Sequence, residues 1–421
     1  MSREITFLSL DGDPLAVPGR PYPTRQNLYV TELSRYLGGI GLQIDLYSRR
    51  KSGQQPSQEE YSRGTRVIRI PVGPPGEIRG EQIVPYLKDI ADWIPPYQIK
   101  QGLQYKLVHS QSYLSGPVGI HLKNTWGIPL VHTFHSLGLV EEEIFGPNSR
   151  IPEIRHKIEK LICHSADRII AANNQEKMDL EELYQVDPEI ITVIPSGVNL
   201  KIFRPLSQEE SRREIAFPNE IFLITYAGRL DERKGLDILL KAMQLVDNPV
   251  IQAVIVGGPP SNKPFLSRAD LSREPYQKYI TMVDEYGLEK QVTFTGGKPQ
   301  DQLAPYYCAG DVTVVPSQYE PFSIPALEAL ACGSCVIASR SSGLKSTVKE
   351  NHVGTLFEPG SAEQLAEKIK IFYYQPELKK ELRENARPYV EENFSWMSVA
   401  QEVSRVYQEL IAQTGSIQDP A

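Results

Sequence analysis

Four cysteines in 421 residues, unevenly spaced, leave nothing from which to build a disulfide framework. No apolar run approaches the roughly 18 residues needed to span a bilayer. The opening Met-Ser-Arg-Glu-Ile-Thr reads as a polar lead into a strand and not as a signal peptide. Positive charge is not in excess. A formal net charge of −7 and a pI near 5.7 give no global attraction for nucleic acid or an anionic membrane, so local basic residues must hold any phosphate. His132 and His135 stand three apart with no partner cluster at ligand spacing, so no metal is expected. No strand is followed by G-x-G-x-x-G; the loop after the first one is Asp11-Gly12-Asp13-Pro14, which argues against a dinucleotide oxidoreductase. The expectation is a cytoplasmic protein in a reducing setting, with neither nucleic-acid nor membrane partner.

What is present is an alternation. A chain of this length suits two domains, and 40% hydrophobic residues allow a sizeable core in each. Apolar runs around residues 5–10, 42–47, 66–70, 106–109, 130–134, 168–172 and 191–194 predict strands; the stretches 26–37, 82–93 and 154–164 predict helices. Pro195-Ser196-Gly197-Val198-Asn199 to Phe203-Arg204-Pro205 then reads as a linker. Beyond it strands are predicted at 222–227, 250–256, 292–295, 311–316 and 335–338, with helices at 236–243, 276–286, 362–372, 377–391 and 396–411. Such alternation predicts an α/β fold of two doubly wound, Rossmann-like domains, with ligands at the carboxyl ends of the strands and a cleft between the halves.

The stretch that organises the chain is Val314-Val315-Pro316-Ser317-Gln318-Tyr319-Glu320-Pro321-Phe322-Ser323-Ile324-Pro325-Ala326-Leu327-Glu328, closed by Gly333. It reads as strand, loop and helix. Ser323 suits an N-cap and Pro325 a first turn. The backbone N–H groups of Phe322, Ser323 and Ile324 fall where a helix leaves donors unpaired, a place that draws anions and oxygen-rich ligands. Glu320 and Glu328 could each take a hydroxyl pair. Upstream, Arg229 and Lys234 lie in Gly228-Arg229-Leu230-Asp231-Glu232-Arg233-Lys234-Gly235, where a strand ends and a helix begins; there they could clamp phosphate. Two solvated glutamates and a solvated basic loop would give the same spacing.

Glu320-Pro-Phe, five residues, Glu328-Ala resembles the E-x7-E signature of the retaining GT-B glycosyltransferases, and Gly228 to Gly235 resembles their G-R-x-x-x-x-K-G loop. The resemblance implies that Arg229 and Lys234 hold the donor diphosphate, replacing a metal ion, and that Glu328 holds the ribose. It implies that Glu320 and the amides of Phe322, Ser323 and Ile324 hold the sugar, with Leu327 and Lys298 completing the donor set. The base meets mostly backbone near Gly296-Gly297-Lys298. His132-Thr133-Phe134-His135-Ser136-Leu137-Gly138 resembles the T-x-H-S-L-G loop of sucrose-phosphate synthases, whose histidine contacts the transferred glucose. His132 itself reads as a core histidine.

The same resemblance implies an acceptor phosphate gripped by Arg155, in Arg155-x-x-x-Glu159, with Lys88 and Thr133 assisting. There are departures. The Gly-Gly usual in the first loop is absent, and the sequence reads Pro23-Thr24-Arg25-Gln26-Asn27, so Arg25 and Gln26 are the candidates there. The usual H-S-H-Y reads His109-Ser110-Gln111-Ser112-Tyr113. A lysine often found after S-L-G is replaced by Glu141-Glu142-Glu143. The expectation is domains at 1–204 and 205–394, with the helix from about 395 to 421 packing back on the first. The expected reaction is retaining transfer of glucose from UDP-glucose, or ADP-glucose, to fructose 6-phosphate, with no cofactor required. The inositol-phosphate acceptor of the mycothiol-pathway glycosyltransferases, or a non-catalytic nucleotide-sugar sensor, is the alternative. Cys332-Gly-Ser-Cys335 reads as packed small residues and Gly257-Gly258-Pro259-Pro260 as a turn.

Overall fold

Strands buried on both faces carry near-continuous apolar runs, and the runs here become parallel strands. The computed structural model describes residues 4–10, 13, 15, 25–76, 78, 80–146 and 151–415. The chain divides into one unit of Met1–Gly197 with Trp396–Ala421, and another of Val198–Ser395.

The first unit holds β1 (Ile5–Leu8), β2 (Ile44–Arg49), β3 (Gln58–Ser62), β4 (Thr65–Ile70), β5 (Leu107–Gln111), β6 (Leu130–Thr133), β7 (Arg168–Ala171) and β8 (Ile191–Val193). Their order is β3-β4-β2-β1-β5-β6-β7-β8. All pairings are parallel except β3 with β4. The polar β3 lies at the sheet edge, where Gln58, Glu59 and Glu60 are exposed. A strand that buries no apolar face leaves no apolar signal. Helix Leu87–Lys100 runs past the expected stop and through Pro95 and Pro96. Its buried face of Leu87, Ile90, Ala91 and Ile94 keeps helical spacing, and packing outweighs the lost hydrogen bonds. Helix Ser112–Trp126 carries Gly116, Pro117 and Gly119, residues that break a helical period, and it was not expected. The first glycine is there for space: a Cβ on Gly116 would come 2.2 Å from the Ile162 side chain.

The second unit holds β9 (Phe222–Ala227), β10 (Ile251–Val256), β11 (Val292–Phe294), β12 (Val312–Val315), β13 (Cys335–Ser339) and β14 (Gly354–Phe357), in the order β11-β10-β9-β12-β13-β14, all parallel. The boundary falls at Gly197/Val198, seven residues before the expected 204/205. The amide of Val198 donates to Phe394 O at 2.9 Å, and Val198 and Phe203 are both buried in the second core. The final helix, Trp396–Gly415, belongs to the first unit and packs on the helix Arg25–Gly39, where Trp396 meets Tyr29 at 5.5 Å.

Candidate active site

In each sheet the winding reverses once, between β9 and β12 in the second unit and between β1 and β5 in the first. Loops leaving the carboxyl ends of such a strand pair diverge and leave room for a ligand.

In the second unit the loop after β9 meets the loop after β12. Gln318 N donates to Arg233 O at 2.8 Å. Gly235 has φ +65°, and a Cβ there would come 2.1 Å from Pro316 O, so only glycine allows the approach. That approach sets Lys234 Nζ 2.5 Å from Glu320 Oε2, with both side chains nearly dry. Ser317 Oγ reaches the same carboxylate oxygen at 3.4 Å, and the hydroxyls of Ser339 and Ser341 fasten Ser317 O. Arg229 is more exposed and lies 2.9 Å from Asp231. Glu328, buried inside helix Ile324–Ala331, accepts from Tyr307 OH at 2.8 Å and Gln300 Nε2 at 3.2 Å.

Three expectations change. Ser323 is no side-chain N-cap. Its backbone is left-handed, φ +51°, and its fully buried Oγ has no hydrogen-bond partner. A cap needs an extended backbone to turn its oxygen toward the helix amides. Leu327 is packed in the core with Ala326 and Leu330, so its side chain offers nothing to a donor. Lys298 Nζ donates to Ser261 O at 2.7 Å and Lys263 O at 2.8 Å, which makes it a brace for the 261–263 loop; its partial burial lowers the amine's pKa. That loop borders a cavity of about 600 Å³ lined by Pro259, Pro260, Lys263, Arg273 and Tyr276.

In the first unit, β5 and β6 pair with Gln111 opposite Thr133 and Ser110 opposite His132. Alternation then sorts the side chains by face. His109, Gln111 and Thr133 share one face, where His109 Nδ1 lies 2.6 Å from Tyr407 OH. Ser110 and His132 share the other, with Ser110 Oγ 2.7 Å from His132 Nδ1. His132 is a fully buried core histidine, and burial holds its pKa well below the usual value. His135 lies two residues past the end of β6 with φ +69°, sits edge-on to Tyr29 at 5.1 Å, and its Nε2 is 2.7 Å from Gln111 Oε1.

Arg155 joins this loop to a helix. Its Nε donates to Glu159 at 2.7 Å and its Nη2 to Ser136 Oγ at 3.0 Å; Nη1 stands 3.6 Å from Glu141, and the guanidinium lies 5.1 Å over the Tyr113 ring. Glu159 also receives the Gly138 amide, at 3.0 and 3.1 Å, and Tyr184 OH at 2.6 Å. The Arg-x-x-x-Glu spacing is therefore visible as a cradle for the Ser136–Gly138 backbone. Lys88 does not join it: its side chain is 83% exposed and pairs with Asp92 one turn away. Gln26 lies in the first turn of Arg25–Gly39. The Arg25 side chain and nearly all of the 11–24 loop lie outside the described residues. Sequence reasoning passed over Gln111, His109, Tyr184 and Tyr407, whose partners are remote in sequence. Only Gln111 left a signal, as a departure from H-S-H-Y.

Among the described residues no group of three or more His, Cys, Asp or Glu could hold a metal ion, and no helix is long and apolar enough to cross a membrane. Residues 207–389 match the family described as Glycosyl transferases group 1, and residues 26–202 match Glycosyltransferase Family 4. The chain is 30% identical over 415 residues to a D-inositol 3-phosphate glycosyltransferase of Streptosporangium roseum, covering 96% of this chain and 92% of that one. It is 31% identical over 421 residues to the enzyme of the same name from Corynebacterium glutamicum, covering 97% of each. Among solved structures it is similar to a sucrose-phosphate synthase from Thermosynechococcus elongatus, with 33% identity, a TM-score of 0.86, and coverage of 98% of this chain and 100% of that one.

Proposed function

The chain belongs to the group 1 glycosyl transferases and has the GT-B fold, and from that premise we propose that it transfers glucose, with retention, from a nucleoside diphosphate glucose to fructose 6-phosphate. The observation that carries the reading is the Lys234–Glu320 pair, a buried cation and carboxylate at the switch point of the second sheet. Lys234 and Arg229 bind the diphosphate and stabilise the charge that grows on it as the bond to the sugar breaks. Glu320 and the unpartnered hydroxyl of Ser323 take sugar hydroxyls. Glu328, held by Tyr307, takes those of the ribose. The acceptor oxygen attacks the face the diphosphate leaves, and its proton passes to the leaving phosphate, so no protein nucleophile is required.

The acceptor side rests on Thr133, Ser136 and Arg155, and His135 is read as a contact of the transferred glucose. His135-Ser136-Leu137-Gly138, together with full-length likeness to a sucrose-phosphate synthase, favours fructose 6-phosphate. The 30–31% identity to inositol-phosphate glycosyltransferases supports a second reading, in which an inositol phosphate takes that place. The deciding experiment is mass detection of product from UDP-glucose or ADP-glucose with fructose 6-phosphate, beside a tube holding inositol 3-phosphate. A sucrose phosphate peak is expected in the first tube. Product only in the second would keep the donor site and replace the acceptor. Donor turnover with neither acceptor would withdraw both.

A further inference from the structure

His135 stands at the end of a chain of buried polar groups. Its Nε2 is 2.7 Å from Gln111 Oε1; Gln111 Nε2 is 3.0 Å from His109 Nε2; and His109 Nδ1 is 2.6 Å from Tyr407 OH, some three hundred positions away in sequence. Thr133 Oγ1 lies 2.9 Å from His109 Nε2. His109 and Gln111 are fully buried and Tyr407 almost so. An amide oxygen only accepts and an amide nitrogen only donates, so Gln111 dictates the state of both rings. His135 must carry its proton on Nε2. His109 must offer a lone pair at Nε2, which puts its own proton on Nδ1, donated to the tyrosine oxygen. Burial keeps both rings neutral, pushing each pKa down to about 3; for His109 the neighbouring His135 adds to the effect. A neutral imidazole protonated at Nε2 has Nδ1 as an acceptor.

We propose that Gln111 is a positioning residue: it fixes His135 as the neutral Nε2–H tautomer that the reaction requires. The proposal rests on the reading of His135 as a sugar-contacting residue. It also accounts for the departure from H-S-H-Y. A second histidine at this position can present either nitrogen as donor and can take up a proton. An amide can do neither, and so holds the two flanking rings in one complementary pair of tautomers.

The test is a long-range proton–nitrogen correlation spectrum of protein labelled at histidine nitrogen, with His135 assigned by its loss in His135→Asn. The wild type is expected to show His135 neutral with Nε2–H. Gln111→Leu should mix its tautomers. In the same variant kcat for UDP release from UDP-glucose should fall roughly tenfold, with less change in KM. Gln111→His, which can protonate either ring nitrogen, should leave the His135 tautomers mixed and recover only part of the rate; full recovery with mixed tautomers overturns the proposal. A wild-type His135 carrying its proton on Nδ1, or an unchanged His135 signal in Gln111→Leu, overturns the proposal. Should Gln111→Leu fail to fold, the wild-type spectrum and the Gln111→His rate still decide. The tautomer is read without turnover, so an enzyme inert toward every acceptor would strike the transferase reading and leave this measurement standing.

Discussion

Lys234 and Glu320 put a cation and an anion 2.5 Å apart with almost no water around either. Removing one partner takes from the other the charge it is buried against, which costs about 3 kcal/mol. Lys234→Ala and Glu320→Ala are each expected to lose that much in urea unfolding, and the double variant is expected to lose less than the sum. Simple additivity would show that the two side chains do not depend on each other. Arg155 presents the opposite case, one cation beside two carboxylates, Glu159 at 2.7 Å and Glu141 at 3.6 Å. Glu159 also holds the Gly138 amide and is structural; in the proposed acceptor site Glu141 would compete with the phosphate for Arg155. Glu141→Gln is therefore expected to lower KM for the phosphorylated acceptor several-fold, corresponding to about 1 kcal/mol, with kcat little altered. An unchanged KM in steady-state assays would remove Arg155 from the acceptor site. The sequence marked Lys234 and Glu320 as candidates because each sits in a contiguous motif, Gly228 to Gly235 and Glu320 to Glu328, but not that the two meet. For Lys88, offered by the resemblance alone, the structure shows an exposed side chain paired with Asp92.

At the scale of elements, the site depends on how closely two loops approach. Gly235 allows it: φ is +65° and the space where a Cβ would go is taken by Pro316 O. Gly235→Ala should cost more than 1 kcal/mol and, by prising apart the loops after β9 and β12, weaken UDP binding in calorimetry. Gly228→Ala is the control. It lies in the same loop, at a backbone angle open to alanine, with nothing closer than 3.6 Å to its new carbon. Equal effects from both would mean that the loop tolerates no side chain anywhere, and the argument from Pro316 would fall. Elements were legible in the sequence where burial left a pattern: an apolar run in the parallel strands other than β14, and one apolar face in helix Leu236–Val246. The helices Ser112–Trp126, Gly138–Phe145 and Asn174–Tyr184 were missed for different reasons. The first is broken in sequence by glycine and proline. The second is an acidic run, and is held by Arg155 and Tyr184 more than by an apolar stripe. The third is mostly polar, and begins on an Asn173 cap that only the geometry reveals.

At the scale of the whole molecule, the chain enters the second unit at Val198 and returns to the first at Trp396. The consequence is asymmetric. Residues 198–395 are continuous and contain Arg229, Lys234, Glu320, Ser323 and Glu328, the residues proposed to hold the nucleotide and diphosphate among them, on a six-stranded sheet with its own buried cores. The first unit is discontinuous. Without its last helix, Tyr29 loses Trp396 and His109 loses Tyr407, which uncovers a buried sheet face and leaves a buried imidazole nitrogen without its partner. A fragment of residues 198–395 is therefore expected to unfold cooperatively on its own and to bind UDP within about tenfold of the full chain, a difference of about 1.4 kcal/mol. A fragment of residues 1–197 is expected to aggregate, and to become soluble only when residues 396–415 are joined back to it through a short linker. Calorimetric titration of the first fragment and the solubility of the second, with and without the helix, read the two halves of this argument separately. Failure of the isolated second unit to bind UDP would show that the donor site needs residues from outside 198–395. A soluble, cooperatively folding 1–197 would show that the last helix is an accessory to the first sheet and no part of its core.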